Sequence, residues 1–193
     1  QRAQCRAKVE RDPDQLPEPQ KFGDRVTFDH KILNDDDASR DHDKTALIGE
    51  DTHSHWLQGY PKVSKNTADT KASLQEFFGP QFKPEHIYTD NSGELAKACE
   101  ELGFSHDTST PHRSETNGRA ERAVRRVKEG TSCALDQSGL SGLWWHFAIG
   151  CFCFLRNIVD RMANGHTPYQ NRFGKVFEGP TIPFGAHIEY YPI

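Results

Sequence analysis

The chain lacks the features that would mark a secreted, membrane-spanning or DNA-coating protein. It has no cysteine framework: five cysteines at 5, 99, 133, 151 and 153 are odd in number and irregularly spaced. That pattern excludes a disulfide scaffold and suits a reducing, intracellular compartment. It has no long hydrophobic run, because the longest, residues 143–155, covers 13 positions and includes His146. A bilayer-spanning helix needs about 20 apolar residues, so no membrane role is expected. It has no excess of positive charge; the formal net charge is −4, which argues against binding nucleic acid through bulk charge. Neither internal repeats nor low-complexity tracts are visible. Hydrophobic residues make up only 34% of the chain and mean hydropathy is −0.81. They cluster in periodic segments, however, so a folded domain is expected rather than disorder. Met162 is the only methionine and the chain opens on Gln1, from which we expect a piece of a longer polyprotein product.

What is present is uneven in charge. Residues 113–128 hold six basic and two acidic residues, a local balance of +4, whereas residues 35–44 hold five aspartates against two basic residues, a balance of −3. A mildly acidic protein can still meet nucleic acid through one such basic strip. The polar, proline-bearing stretch 1–21, with Pro13, Pro17 and Pro19, reads as a linker.

Beyond it the alternation of apolar and polar positions predicts strands at about 24–33, 45–51 and 55–63. A helix at 66–78, a strand at 86–90, a helix at 93–102 and a strand near 103–109 follow. A basic helix around Glu121 and an aromatic helix at about 142–161 complete the order. Three consecutive strands followed by alternating helices and strands imply an α/β fold with a mixed sheet flanked by helices.

Three carboxylates stand out against this frame. In RVTFDHKIL, Val26, Phe28 and Ile32 fall on one side of a strand and Thr27, Asp29 and Lys31 on the other, so Asp29 projects from the less apolar face. In HIYTDNSGE a short strand ends at Asp90 before the Asn91-Ser92-Gly93 turn. In TSTPHRSETNGRAERAVRRVKEG, residues 108–130, the Pro111, Asn117 and Gly118 positions read as loop and helix boundary, which puts Glu121 in the first helical turn. Arg125 and Lys128 lie four and seven positions further on and share its face. Carboxylates from two strands and one helix can converge on divalent ions that hold phosphate oxygens for in-line displacement.

These segments resemble the Asp, Asp, Glu catalytic set of retroviral and retrotransposon integrases, most of all the Ty1/copia class. TPHRSETNGRAERAVR is similar to that class's proline-initiated loop and Ala-Glu-Arg helix start. TDNSGE resembles the strand end that carries its second aspartate, and GEDTHSHWLQGYPKV at 49–63 resembles the strand pair after the first. TPYQNRFGK at 167–175 is similar to the segment that closes the core. The resemblance covers about residues 22–175. It implies a ribonuclease H-like five-stranded mixed sheet and a catalytic core over 22–175, followed by the start of a C-terminal extension at 176–193.

The same resemblance implies a metal-dependent polynucleotidyl transferase that trims and joins DNA 3′ ends. Asp29, Asp90 and Glu121 would be its catalytic residues and ligands to two Mg²⁺ or Mn²⁺ ions. Arg113, Asn117, Arg122, Arg125 and Lys128 would bind DNA, the chain would form a homo-oligomer, and an active element's product would work in the nucleus. Cys5-Arg6-Ala7-Lys8 resembles the end of the zinc module that precedes such cores, and a stray linker thiol is the equal alternative. One thiolate cannot hold structural zinc alone, so no zinc is expected in this piece. Two departures from the family pattern are the acidic stretch after Asp29 and the 30 residues between Asp90 and Glu121, fewer than usual by about one helical turn.

By residue pattern alone, blander roles stay open: an exposed strand aspartate at 29, a turn former at 90, and a solvated glutamate paired with Arg125 at 121. A nuclease of the same fold, or a degenerate remnant that only binds nucleic acid, are the rival functions. His53 and His55 read as a polar strand edge rather than a zinc site, and Asp35 to Asp37 as a solvated turn. Asp51 resembles a structural aspartate, and residues 112–113 as substrate contact or plain surface loop. The late aromatic helix is apolar nearly all round, which predicts a surface buried against another subunit.

Overall fold

The first strand, β1 (Val26–Ile32), lies at the centre of a five-stranded sheet in which β2 (Thr45–Asp51) and β3 (Leu57–Lys62) run antiparallel on one side. On its other side β4 (Ile87–Thr89) and β5 (His106–Thr108) run parallel. The spatial order is β3-β2-β1-β4-β5, the mixed sheet expected from the element order. This computed structural model describes residues 17–90, 92–108, 114–189 and 191, with backbone alone at 35, 108 and 114–117. Cys5, and with it the linker and zinc-module reading of residues 1–16, lies outside the described residues.

Each face of the sheet has its own core. On one side Val26, Phe28, Leu47 and Ile87 pack against Leu74, Phe77 and Phe78 of α1 (Thr67–Phe78) and Leu95, Ala98 and Cys99 of α2 (Gly93–Leu102). On the other, Ala46, Ile48 and Leu57 meet Ala123 and Val127 of α3 (Ser114–Ser138) and Ile149 and Cys153 of α4 (Trp145–Val159). The register explains the division: Phe28 pairs with Gly49, and Asp29 with Ile48, so Asp29 shares the face that α3 covers. Gly49 is required because the Phe28 ring occupies the space a Cβ would take.

Local signals set the ends of the helices. The Asn66 side chain accepts from the backbone N–H of Asp69 at 2.8 Å and starts α1. Gly103 ends α2 in the left-handed region, at φ 64°. A capping box between Thr167 and Gln170 opens α5 (Pro168–Phe173). From α5 the Arg172 guanidinium lies 4.1 Å over the Phe22 ring and 4.5 Å over Trp56 and donates to the Phe77 carbonyl at 2.8 Å. These contacts hold the end of the core.

Three sequence expectations change. α3 starts at Ser114, so Asn117 and Gly118 are helical and Glu121 sits two turns in, not in the first turn. His53 and His55 lie in the β2–β3 turn rather than on a strand. The His53 Nδ1 is 3.1 Å from the Pro19 carbonyl, and the His55 Nδ1 is 3.8 Å from Glu50. The Gly142–Val159 stretch, extended by a 3₁₀ turn at Gly142–Trp144, is by length and composition sufficient to cross a membrane, contrary to the estimate from the 13-residue run. Its inner face nevertheless belongs to the core. The fully buried Asn157 accepts from the Leu57 N–H at 3.0 Å and donates to the Leu57 carbonyl at 2.7 Å, tying α4 to β3.

Candidate active site

β1 and β4 bring two of the carboxylates together. Their parallel register pairs Phe28 with Thr89, so Asp29, in the middle of β1, and Asp90, just past the end of β4, occupy the next positions on neighbouring strands. Burial, then the charge of Asp90, push the Asp29 carboxyl above its ordinary value. The His30 backbone N–H and Lys65 oppose that shift, and Glu121 adds the weakest upward influence. Asp90 keeps one buried oxygen, Oδ1, without a hydrogen-bond partner. A buried, unpartnered carboxylate oxygen beside a second carboxylate is costly unless a cation joins it.

Glu121 approaches from α3 and is exposed. Its charge reaches Asp29, yet among the described residues no three His, Cys, Asp or Glu side chains are grouped closely enough to hold a metal ion. The fold thus sets the two aspartates on neighbouring strands, with Glu121 facing them from α3 through its charge. Arg122, Arg125 and Lys128 are all exposed on α3, with Arg125 3.9 Å from Glu129. Arg113 lies outside the described residues, and for Asn117 only the helical backbone is described.

Two neighbours of the pair escaped sequence reasoning. Lys65, on the β3–α1 connection, influences Asp29 and pairs with Glu94 at 3.7 Å. It is 36 positions from Asp29, and no local pattern connects the two. His30 is pushed down to about 4 by burial and then by Lys65, which keeps it neutral beside the carboxylates at neutral pH. A second cluster sits on the same face at Glu50, 4% exposed, with Arg126 at 3.2 Å and Arg156 at 4.0 Å. Burial alone would raise Glu50, but His55, Arg126 and Arg156 together hold it below its ordinary value. Arg126 is thereby committed to the sheet.

Asp51 has a structural role. It is fully buried and accepts from the Gly23 N–H at 2.9 Å, the Ser54 N–H at 2.7 Å and the Ser54 hydroxyl at 2.6 Å. The acidic stretch after Asp29 is pinned to α4. The Arg40 N–H donates to the Leu143 carbonyl at 2.9 Å, the Arg40 guanidinium lies 4.9 Å over Trp144, and Asp41 is 3.2 Å from His146. The expected solvated turn at Asp35–Asp37 is a 3₁₀ turn.

No family model matches the chain. A retrovirus-related Pol polyprotein from transposon RE2 of Arabidopsis thaliana is 31% identical over 131 residues, which is 64% of this chain and 9% of that polyprotein. The chain thus spans less than a tenth of that relative. Among solved structures, the HTLV-2 integrase catalytic core domain in complex with magnesium (trimeric form) superposes with a TM-score of 0.61 at 20% identity, over 80% of this chain and 99% of that one. A chain of the simian T-cell lymphotropic virus intasome in complex with PP2A regulatory subunit B56 gamma gives 0.66 at 18% identity, over 93% of this chain and 62% of that one. These likenesses show the fold. The chain is thus similar in sequence to part of a retrotransposon Pol polyprotein and has the fold of integrase catalytic cores, a mixed five-stranded sheet flanked by helices.

Proposed function

We propose that the chain catalyses metal-dependent trimming and joining of DNA 3′ ends, as the core of an integrase-type polynucleotidyl transferase. The observation that carries this reading is the Asp29–Asp90 pair on neighbouring strands, one carboxyl pushed up by burial and by the other's charge, and one buried oxygen without a partner. The donor set fits Mg²⁺ or Mn²⁺, which take hard oxygen ligands. Asp29 and Asp90 would hold the ions from the sheet and Glu121 from α3. When bound, two such ions would favour the attacking hydroxide or 3′-hydroxyl and stabilise the departing oxygen. The chain's own residues supply the rest. The middle of β1 and the end of β4 fix the two aspartates, neutral His30 adds no competing positive charge, and the exposed Arg122, Arg125 and Lys128 would hold DNA phosphates along α3. The magnesium complex and the intasome among the structural neighbours support both the cofactor and the DNA partner. Joining to chromosomal DNA would require an intracellular protein with access to the nucleus.

Calorimetric Mn²⁺ titration, paired with a strand-joining assay, tests the proposal. Wild type is expected to bind Mn²⁺ and join ends. Asp29→Asn, Asp90→Asn and Glu121→Gln should each cut joining by roughly 10²- to 10³-fold, the scale of losing one group that stabilises developing charge, with the fold intact. Substantial joining by Asp90→Asn or Glu121→Gln would sink it, whereas joining by Asp29→Asn alone would show the first ligand to be misassigned. The acidic stretch after Asp29 and the 30 residues between Asp90 and Glu121 favour one rival, a remnant that binds nucleic acid without chemistry. Absence of Mn²⁺ binding by wild type would select that rival, and hydrolysis without joining would select a nuclease.

A further inference from the structure

The sheet face, α3 and the start of α4 line an open trough of about 680 Å³ whose walls include none of Asp29, Asp90 and Glu121. Its size falls in the range of roughly 300–1,000 Å³ common to small-molecule sites. It continues the same two elements: Lys31 follows Asp29 two positions along β1, and Lys128 follows Glu121 seven positions along α3. By helix rise that second step is about 10 Å. Ile48, Val127, Leu135 and Ile149 line its apolar part, and Trp145 forms a flat wall. The Trp145 ring is held by its indole N–H, which donates to the Asp37 carbonyl at 3.2 Å.

The polar groups of the trough point to a ligand. Thr131 is only 7% exposed, lines the trough, and its Oγ1 is buried without a hydrogen-bond partner. An unsatisfied buried hydroxyl costs about 1–3 kcal/mol unless something bonds to it. Lys31 and Lys128 supply positive charge, while Asp36 and Asp37, the latter joined to Trp145 through its carbonyl, supply carboxylate acceptors. A planar ring, an anionic group and an amino donor on one small molecule would satisfy all three features.

We propose that this trough binds a single unstacked nucleotide whose base carries an exocyclic amine, cytosine or adenine, with its phosphate between Lys31 and Lys128. The base lies against Trp145, its amine donates to Asp36 or Asp37, and the Thr131 hydroxyl meets a ring nitrogen or carbonyl. Under the proposed function the occupant is a nucleotide splayed from the DNA strand beside the scissile bond; the pocket chemistry itself does not depend on catalysis.

The test is ligand-observed NMR on the metal-free chain with dCMP, dAMP and dTMP at millimolar concentration, together with the Trp145 indole N–H resonance. dCMP or dAMP should bind about fivefold or more tightly than dTMP, the low end of what one well-placed base contact supplies, and should shift that resonance. Thr131→Val, near-isosteric, should weaken binding, and Ser132→Trp, at the rim, should block it. If Ser132→Trp does not fold, Thr131→Val and the resonance shift still decide. Asp36→Ala with Asp37→Ala, which removes both side-chain acceptors, should erase the preference for amino-bearing bases. No binding by any nucleotide, equal binding of dCMP and dTMP, or binding unchanged in Thr131→Val overturns the assignment. Failure here with end joining intact in wild type removes this inference alone; nucleotide binding with no Mn²⁺ uptake at Asp29 and Asp90 removes the catalytic reading alone.

Discussion

Ionised Asp29 destabilises the metal-free fold, because burial and the charges of Asp90 and Glu121 raise its carboxyl above the ordinary value of 3.8. From 3.8 up to the raised value, the folded state keeps a proton that the unfolded chain has lost, so stability falls as pH rises through that window and stays lower above it. Asp29→Asn is therefore expected to raise the Tm of the metal-free protein at pH 7 and leave it unchanged below about pH 3.8, where both states hold the proton. If the relief is about 1 kcal/mol, the shift is about 2–4 °C for a domain of this size. Thermal unfolding followed by circular dichroism across pH checks this, and an unchanged or lower Tm at pH 7 would show that the pair is not strained. Asp90 and Asp29 were both readable as candidates from their strand-end and alternating positions. Lys65 was not, because only folding brings the β3–α1 connection beside β1.

α3 divides its residues by face. Ala120, Ala123, Val127 and Thr131 are buried, Arg126 is bound to Glu50, and Arg125 and Lys128 stay exposed. Replacing Arg125 and Lys128 together by Ala should leave Mn²⁺ affinity near wild type, since neither can ligate a cation. It should weaken DNA binding for all sequences alike and flatten the slope of log affinity against log salt by roughly 1–2 units, about 0.9 per lost phosphate contact. Fluorescence anisotropy across salt concentrations measures both; an unchanged slope would make this face ordinary solvated surface. In β2, the Phe28 ring pressed on Gly49 makes Gly49→Ala an overpacking change, expected to cost about 1–3 kcal/mol in urea unfolding. A cost near zero would mean that the ring can move aside. The apolar spacing of α3 was legible, but its start was not: Asn117-Gly118 read as a break, although a helix tolerates a glycine at about 1 kcal/mol.

Over the whole molecule, α4 presents apolar surface on the side away from the sheet. On α4 Phe147 is 54% exposed and Val159 56%, and Leu143 in the 3₁₀ turn before it is 52% exposed, while Asn157 anchors the inner side to β3. An exposed apolar strip on an otherwise packed helix marks a surface for burial against a partner. Sedimentation velocity at micromolar concentration is expected to show a dimer or larger species for wild type and a monomer for Phe147→Asp. A strict monomer in wild type up to its solubility limit would count against assembly through α4. Sequence pattern revealed that α4 carries more apolar surface than one core stripe needs, but only the packed structure tells which residues are left outside.

Periodicity and caps, which act within a few residues, were enough to determine the order of strands and helices, the mixed sheet, the position of α2 at Gly93–Leu102, Asp29 within one strand and Asp90 at the end of another. Tertiary structure decided what depends on chain segments far apart in sequence meeting. Parallel pairing of β1 with β4 sets Asp29 beside Asp90. Packing of α3 and α4 on the sheet commits Arg126 and Arg156 to Glu50. The join of β1, α3 and α4 leaves the trough around Thr131 and Trp145. Charges and hydroxyls there act across space through burial and Coulomb forces, and neither is written in the spacing of residues along the chain.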